Sequence, residues 1–174
     1  FQKNYKIASI YYQIDKTEKA VEYYLKALIL KDDYKAKVQL GKAYQKQKNH
    51  IEAIKVFEEI LEDDPQNVLL KYQLGKLYLL KRKANKAIKT FQELYDVDKS
   101  NANYSYQKGV AYAMKGKRNQ MIDNFLEAYQ VDSTHLKSIY QLANSYYKLQ
   151  DELLDKLPQL IHSKWIEVGN KYLD

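Results

Sequence analysis

Residues Leu74-Gly75-Lys76-Leu77-Tyr78, followed by Ala87 and Phe91, decide the fold because they recur at a fixed interval. The same pattern stands 34 residues earlier as Leu40-Gly41-Lys42-Ala43-Tyr44, followed by Ala53 and Phe57. Three weaker copies at intervals of 34 or 33 residues are Gly109, Tyr112, Met121 and Phe125; Leu142, Ala143 and Tyr146; and Ala8, Tyr11, Ala20 and Tyr24. A fixed period in this range is typical of repeat proteins, in which each copy packs mainly on its neighbours.

The apolar residues of each copy fall at helical spacing, which predicts two helices joined by a short turn. We expect helices at 4–14, 17–30, 34–47, 50–62, 67–81, 84–96, 102–115, 118–130 and 136–149. Thr17 and Asn49 are candidate N-caps. Nothing in the sequence alternates like a strand, and no linker rich in Gly, Ser or Pro divides it.

The recurring small residues have a physical explanation. Two antiparallel helices joined by a short turn approach closely only where a side chain is small, and Gly41 and Ala53 are predicted to supply that contact. Tyr44 and Phe57 would then fill the wedge between neighbouring helix pairs. A glycine inside a helix costs about 1 kcal/mol relative to alanine, so its recurrence indicates that packing offsets the cost.

The order Leu-Gly-x-x-Tyr, Ala, Phe and Asp-Pro with this period resembles the tetratricopeptide repeat. The resemblance covers about residues 1–149 and implies an all-α fold, a right-handed α-solenoid of stacked antiparallel helix pairs with a C-terminal capping helix. It implies one array over 1–174, with repeats at about 1–33, 34–67, 68–101 and 102–135, a partial repeat at 136–150 and a capping helix at about 152–173. Trp165 in that last helix either covers the final helix pair or docks a partner.

Composition narrows the class of protein. The 174 residues contain no cysteine, which excludes disulfides and thiolate metal sites. No apolar run reaches the roughly 18 residues of a membrane span. The chain starts at Phe1 without a visible leader, so we expect a fragment or a processed chain. The sequence leaves the location unknown: the cytoplasm is favoured, and a secretory signal could have been removed.

No constellation of residues points to catalysis or to a cofactor. The histidines His50, His135 and His162 lack a partner at the spacing of a zinc site. The acidic pairs at 32–33 and 63–64 stand in turns, where aspartate is common. Phosphate-binding glycine loops and nucleophile motifs are absent. The sequence therefore predicts a non-enzymatic protein without metal or cofactor.

The resemblance implies a concave groove, lined by the first helix of each pair, in which a partner's peptide or helix is bound. The residues that this assigns to partner binding are Tyr5, Ser9, Tyr12, Val38, Gln39, Lys42, Tyr72, Gln73, Lys76, Tyr106, Gln107, Tyr140, Gln141 and Asn144. Tyrosine and glutamine recur among them at the repeat interval. Tyrosine offers a large contact area with a hydroxyl at its tip, and glutamine both donates and accepts hydrogen bonds. The alternative is that both are half-buried spacers between repeats.

A subset of the family binds the acidic C-termini of chaperones through a clamp of Lys, Asn and Arg. The matching positions here are Tyr5, Ser9, Gln39, Leu69 and Gln73, or, shifted by one repeat, Val38, Lys42, Gln73, Asn103 and Gln107. Neither set is the clamp. We therefore expect no tight binding of that peptide class.

Charge and the chain start suggest other partners. The turns inside helix pairs are basic, at Lys46 and Lys48, 81–83 and 115–118, whereas the turns between pairs are acidic. A basic edge would make nucleic acid the alternative partner, but scarce arginine and the lack of aromatic residues among these lysines count against it. Self-association through the uncovered first repeat is a further expectation.

Overall fold

Helices make up the regular structure of the computed structural model, which describes residues 1–147 and contains no strand in that range. The chain divides into two units, Phe1–Lys81 and Arg82–Asp174, at the turn between two helices. The all-α repeat fold predicted from the sequence is confirmed. The predicted capping helix at about 152–173 lies outside the described residues, and the single array over 1–174 stays a prediction.

Side-chain caps set several helix starts in the first unit. Its helices are α1 (Gln2–Gln13), α2 (Thr17–Leu30), α3 (Tyr34–Lys46), α4 (His50–Asp63) and α5 (Val68–Leu80). Asp33, Asn49 and Asn67 each accept a hydrogen bond from the backbone N–H three residues further on, which satisfies a donor that the helix leaves free. The predicted cap at Asn49 is confirmed. The cap predicted at Thr17 is wrong, because Thr17 is the buried first residue of α2 and Lys16 holds the cap position without a side-chain bond.

The second unit continues the same pattern. Its helices, as far as the structure describes them, are α6 (Ala84–Val97), α7 (Ala102–Met114), α8 (Arg118–Val131) and α9 (Leu136–Tyr147). Across both units every helix starts within two residues of its predicted start. Asn101 caps α7 through the N–H of Asn103. A side-chain cap thus marks the start of α7, as it does for α3, α4 and α5.

The turn inside each helix pair reverses the chain through one residue in the left-handed region. The φ angle is 61° at Asp15, 60° at Lys48, 54° at Arg82 and 66° at Gly116. The Lys48 N–H donates to the Gln45 carbonyl and the Asn49 N–H donates to the Tyr44 carbonyl, both at 2.9 Å. This pair of hydrogen bonds is a Schellman motif. Only one of the four positions is glycine, although this conformation costs an L-amino acid about 1 kcal/mol.

Glycines in the first helices of the pairs give room to aromatic rings. Phe57 is only 1% exposed, and a Cβ atom added to Gly41 would overlap its ring. A Cβ atom added to Gly109 would lie 2.5 Å from Cε1 of Phe125. The sequence predicts that Phe57 fills the wedge between neighbouring helix pairs. It does not predict the contact between Phe57 and Gly41, which lies within one helix pair. Gly41 is therefore small because the Phe57 ring occupies the space of its side chain.

One hydrophobic cluster holds the first three helices together. Its buried residues are Ala8, Ala20, Tyr24, Leu40 and Ala43. Because α1 and α3 contribute to the same cluster, their outward residues lie next to each other. This packing forms the groove described below.

Candidate partner-binding groove

A groove of about 680 Å³ lies in the first unit, between α1, α3 and α5. Its lining residues are Tyr12, Tyr34, Val38, Lys42, Gln45, Lys46, Phe57, Asn67, Leu69, Leu70 and Gln73. On α3, Val38, Lys42 and Gln45 are three or four residues apart, so they share one helix face. The volume falls in the usual range of ligand pockets, roughly 300–1,000 Å³.

Tyr34 and Asn67 form a fixed wall of the groove. Asn67 donates to the Tyr34 hydroxyl at 2.6 Å and to Asp64 at 3.0 Å, and the Tyr34 hydroxyl donates to Asp64 at 3.1 Å. Burial, reinforced by the bond to the Asp64 carboxylate, raises the pKa of Tyr34. The Tyr34 hydroxyl is therefore uncharged, and this wall, which includes the bonded Asp64 carboxylate, comes from the turns before α3 and α5.

Lys46 and Tyr12 form the opposite wall. The Lys46 Nζ atom lies 2.7 Å from an Asp15 carboxylate oxygen, 3.2 Å from the Tyr12 carbonyl oxygen and 4.8 Å from the centre of the Tyr12 ring. These contacts occupy the ammonium group. Lys46, which the sequence places in a basic turn, is thus used to join that turn to the preceding one.

Three long polar side chains in the groove remain available. Lys42 is exposed, Gln45 and Gln73 are half-buried, and none of them has a partner among the described residues. Beneath them lie Val38, half-buried, and Phe57, buried, which form an apolar floor. The groove therefore offers one cation and two amides above apolar surface.

Four of the residues predicted from sequence line this groove: Tyr12, Val38, Lys42 and Gln73. Tyr5 and Ser9 do not. The Ser9 hydroxyl donates to the Tyr5 carbonyl at 3.0 Å and lies 3.3 Å from the Tyr24 hydroxyl, while the Tyr5 ring packs edge-on against Tyr24. Both residues therefore contact the hydrophobic cluster.

The remaining predicted residues of the first unit lie outside the lining of the groove. Gln39 is half-buried. The Lys76 ammonium lies 5.7 Å from the centre of the Tyr72 ring, so these two residues pair with each other. Sequence reasoning missed Tyr34 and Asn67, because their role depends on the pairing of two turns rather than on a helix face.

In the second unit, Tyr106 connects two helices. Its ring lies 5.5 Å from the Phe125 ring and 5.3 Å from the His135 ring, measured between centres. Burial raises the pKa of Tyr106, and a hydrogen bond with Gln141 partly opposes that effect. Tyr140 is 49% exposed, whereas Gln107 and Asn144 are half-buried. Partner binding by these residues stays a prediction.

Two matches identify the family. A tetratricopeptide repeat model matches residues 44–108, and a second tetratricopeptide repeat model matches residues 4–34. Together they cover more than half of the sequence. The chain belongs to the tetratricopeptide repeat family. As a protein built of these repeats, it is a scaffold for protein–protein interaction.

Solved structures of similar fold agree with this assignment. A MamA fragment from Desulfovibrio magneticus RS-1 has a TM-score of 0.80 at 19% identity, covering 98% of this chain and 95% of its own. Another MamA crystal structure has a TM-score of 0.79 at 16% identity, covering 97% and 93%. At this identity the likeness concerns the fold. No curated protein sequence matches the chain.

Residues 1–147 contain neither a membrane-spanning helix nor a metal-binding cluster. Within that range no helix is long and apolar enough to cross a membrane. The same range has no group of three or more His, Asp or Glu side chains placed to hold a metal ion. The groove is therefore a candidate site of this tetratricopeptide repeat protein.

The basic turns, on which the nucleic-acid alternative depends, are partly engaged in contacts. Lys46 binds Asp15, Lys115 donates to the Asn85 side chain at 2.6 Å, and Arg118 donates to the Ser145 carbonyl at 3.3 Å. Each contact joins a turn to a neighbouring repeat within one unit. A structural role therefore accounts for three of these basic residues.

The first repeat does expose apolar surface. Ile10 is 57% exposed and Ile14 is 53% exposed. The residues that match Ile10 in later repeats, Ala43, Leu77 and Ala111, are at most 1% exposed. Self-association through this face stays a prediction.

His135 caps α9 in place of the Asp or Asn that stands at the same position of earlier repeats. Its Nδ1 atom lies 2.7 Å from the Ser138 hydroxyl and accepts from the Ser138 N–H at 3.3 Å, and its Nε2 atom lies 3.4 Å from Asn103 Oδ1. This geometry fits a neutral ring that accepts at Nδ1 and donates at Nε2. Burial lowers the pKa of His135, Asp132 opposes this and Lys137 adds to it.

The lowered pKa predicts a pH dependence of stability. The pKa of His135 is lower in the folded chain than its ordinary value of 6.5, so the unfolded chain is protonated at this histidine first as pH falls. The free energy of unfolding therefore decreases as pH falls below about 6.5. Asparagine at this position would keep the acceptor without titrating. We expect His135→Asn to gain stability relative to wild type as pH falls from about 7.5 to about 5.5.

Urea unfolding of wild type and His135→Asn across this pH range measures the difference in their free energies of unfolding. The two proteins share the same carboxylates, so the titration of those groups cancels in the difference. His135→Ala serves as the control, because it removes the cap and should lose about 1 kcal/mol at neutral pH. A constant difference between wild type and His135→Asn over the range would contradict the prediction.

Proposed function

We propose that residues 1–81 hold an extended segment of a partner protein in the groove between α1, α3 and α5. The observation that carries the proposal is the set of unpaired polar side chains, Lys42, Gln45 and Gln73, above an apolar floor. An extended segment presents both N–H and C=O groups, and a glutamine side chain pairs with either. A bound segment would therefore form hydrogen bonds with polar groups that have no protein partner within residues 1–147.

Aromatic and aliphatic side chains at the groove support the same proposal. Tyr12 and Tyr34 contribute ring surface with a polar tip, which is common at protein interfaces. Leu69 is 70% exposed at the groove. Covering such a leucine removes apolar surface from water, which contributes about 25 cal/mol per Å² before the costs of association. Leu69 is thus placed to contribute affinity once a segment is bound.

The test uses an array of peptides about ten residues long together with methyl NMR of the whole chain. We expect the peptides that bind to shift the methyl signals of Val38 and Leu69 while sparing Leu126 of the second unit. Replacing both Gln45 and Gln73 with alanine should weaken binding of these peptides by about thirtyfold, since each of the two buried hydrogen bonds contributes about 1 kcal/mol.

Gln130→Ala is the matched control, because Gln130 is exposed on α8 and outside the groove. It should leave affinity unchanged. The proposal is wrong if no peptide shifts Val38 or Leu69, or if the peptides that bind shift only signals of the second unit.

A further inference from the structure

We infer that the segment bound in the groove carries an acidic side chain two residues away from a large apolar one. This rests on the proposed function and specifies the chemistry of the partner. The occupant is a segment of a protein, and charge complementarity together with the spacing of groove residues is what identifies it.

The charges that line the groove all have one sign. Lys42 and Lys46 are its charged residues, and no aspartate or glutamate lines it within residues 1–81, a range that the structure describes completely. Asp15 pairs with Lys46, and Asp64 bonds to Tyr34 and Asn67. Lys42 is therefore the lining charge that has no counter-ion within residues 1–147, and it would attract an acidic segment and repel a basic one. Electrostatics therefore select the sign of the partner's charge.

The two lysines differ in availability. The Lys46 ammonium already contacts the Asp15 carboxylate and the Tyr12 carbonyl oxygen. Lys42 has neither an ion pair nor a hydrogen bond among the described residues, although it stands on the same helix one turn earlier. A carboxylate of the partner would form its charge-assisted hydrogen bond with Lys42.

The apolar contact lies next to this cation. Val38 is four residues before Lys42 on α3, so the Cβ atoms of these two residues lie about 6 Å apart. Phe57 and Leu70 extend the apolar surface below Val38. Any group that reached Lys42 alone would leave this surface in water, which favours an occupant with an apolar side chain over a simple anion.

The spacing of the two contacts matches an extended chain. Successive side chains of an extended segment point to opposite sides, and residues two apart lie on one side at about 6.6 Å. That distance agrees with the separation of Val38 and Lys42. A segment with the order apolar–any–acidic, or its reverse, would therefore place both side chains at once, whereas adjacent apolar and acidic residues would place only one.

The test measures binding of peptides about eight residues long by fluorescence anisotropy. All are acetylated and amidated, so that no terminal charge is present. The reference peptide holds Leu and Glu two residues apart, and its variants replace Glu with Gln or move Glu next to Leu. We expect each change to weaken binding by about tenfold.

Variants of the chain separate the Lys42 contact from general attraction. Lys42→Gln should weaken the Glu peptide by about tenfold and leave the Gln peptide unchanged. Lys89→Gln makes the same change of net charge at an exposed position of α6 in the second unit, and should have no effect. Lys42 is exposed and has no ion pair or hydrogen bond within residues 1–147, so its substitution should leave the fold of that part intact.

The outcomes distinguish this inference from the proposed function. Equal binding of the Glu and Gln peptides, with Val38 and Leu69 shifted by both, would overturn the acidic preference and leave the groove function standing. Absence of any shift in these two residues would overturn both. Binding of polyuridylate through Lys42, without dependence on Leu in the peptides, would overturn the inference in favour of a nucleic-acid phosphate.

Discussion

Gly41→Ala is expected to lower the free energy of unfolding by about 2 kcal/mol, although alanine is the better helix former. In an exposed helix the same change would add roughly 1 kcal/mol of stability. Here the new methyl group would overlap the ring of Phe57, which is 1% exposed. Overpacking of this kind typically costs about 1–3 kcal/mol, so packing determines the sign. Urea unfolding with matched m-values measures the change.

A second substitution tests the cause. Phe57→Leu removes the ring that the methyl group would overlap, so Gly41→Ala should cost clearly less in the Phe57→Leu background than in wild type. Gly109→Ala, which would clash with Phe125 in the second unit, is expected to behave like Gly41→Ala. Gly41→Ala leaving stability unchanged or increased would show that the ring has room to move.

The fold was predictable because its signals are local and repeated. Helix starts depend on caps such as Asn49 and on short turns, and one copy of the pattern supports the reading of the next. The exceptions are also physical. Thr17 is a good capping residue by type, but the chain enters α2 one residue earlier and buries it. The left-handed conformations of Lys48 and Arg82 have no sequence signal, because glycine occupies only the matching position 116.

The groove was only partly predictable because sequence does not show which side chains already have partners. Lys42 and Lys46 are the same residue type on one helix, yet Lys46 is engaged and Lys42 is free of partners among the described residues. The sequence assigned Tyr5 to partner binding because it occupies the first helix of its repeat. Its ring packs against Tyr24 and does not line this cavity, so its part in partner binding stays a prediction. Which side chains contact each other inside the protein depends on its tertiary structure. The structure was therefore needed to distinguish side chains that already have a contact from those that have none.

Lys108 breaks the repeat pattern inside the core of the second unit. Later and earlier repeats have Leu40, Leu74 and Leu142 at this position, all at most 5% exposed, and Lys108 is itself only 7% exposed. Its ammonium lies 3.7 Å from a Glu127 carboxylate oxygen and 4.6 Å from the centre of the Tyr95 ring. A buried ammonium group of this kind depends on its charged partner.

Glu127 is held ionised by its surroundings. Burial alone would raise the pKa of Glu127, but hydrogen bonds from Tyr95 and from Ser105 at 2.7 Å, together with the charge of Lys108, hold it below the ordinary value of 4.5. A lowered carboxyl pKa contributes stability at neutral pH that is lost as pH falls below that value. Glu127 thus stabilises the folded state in its charged form.

Glu127→Gln should therefore destabilise the protein by about 2–3 kcal/mol at neutral pH. The amide keeps an acceptor for Ser105 and Tyr95 but leaves the Lys108 ammonium buried without a charged partner, and breaking one side of a buried pair costs about 3–5 kcal/mol. The lower figure applies because Glu127 is 32% exposed, so solvent already screens the pair. The variant should also lose less stability than wild type on acidification below about pH 4.5.

Lys108→Leu is expected to have the opposite outcome, because removing the buried ammonium leaves only the half-exposed Glu127 carboxylate, which water can still solvate. Leucine fills this position in three other repeats, so the change should be neutral or stabilising, and it should abolish most of the cost of Glu127→Gln in the double variant. Urea unfolding of wild type, the two single variants and the double variant closes the cycle. If Glu127→Gln costs the same in the Lys108→Leu background as in wild type, the carboxylate is not what makes a buried lysine tolerable in this core.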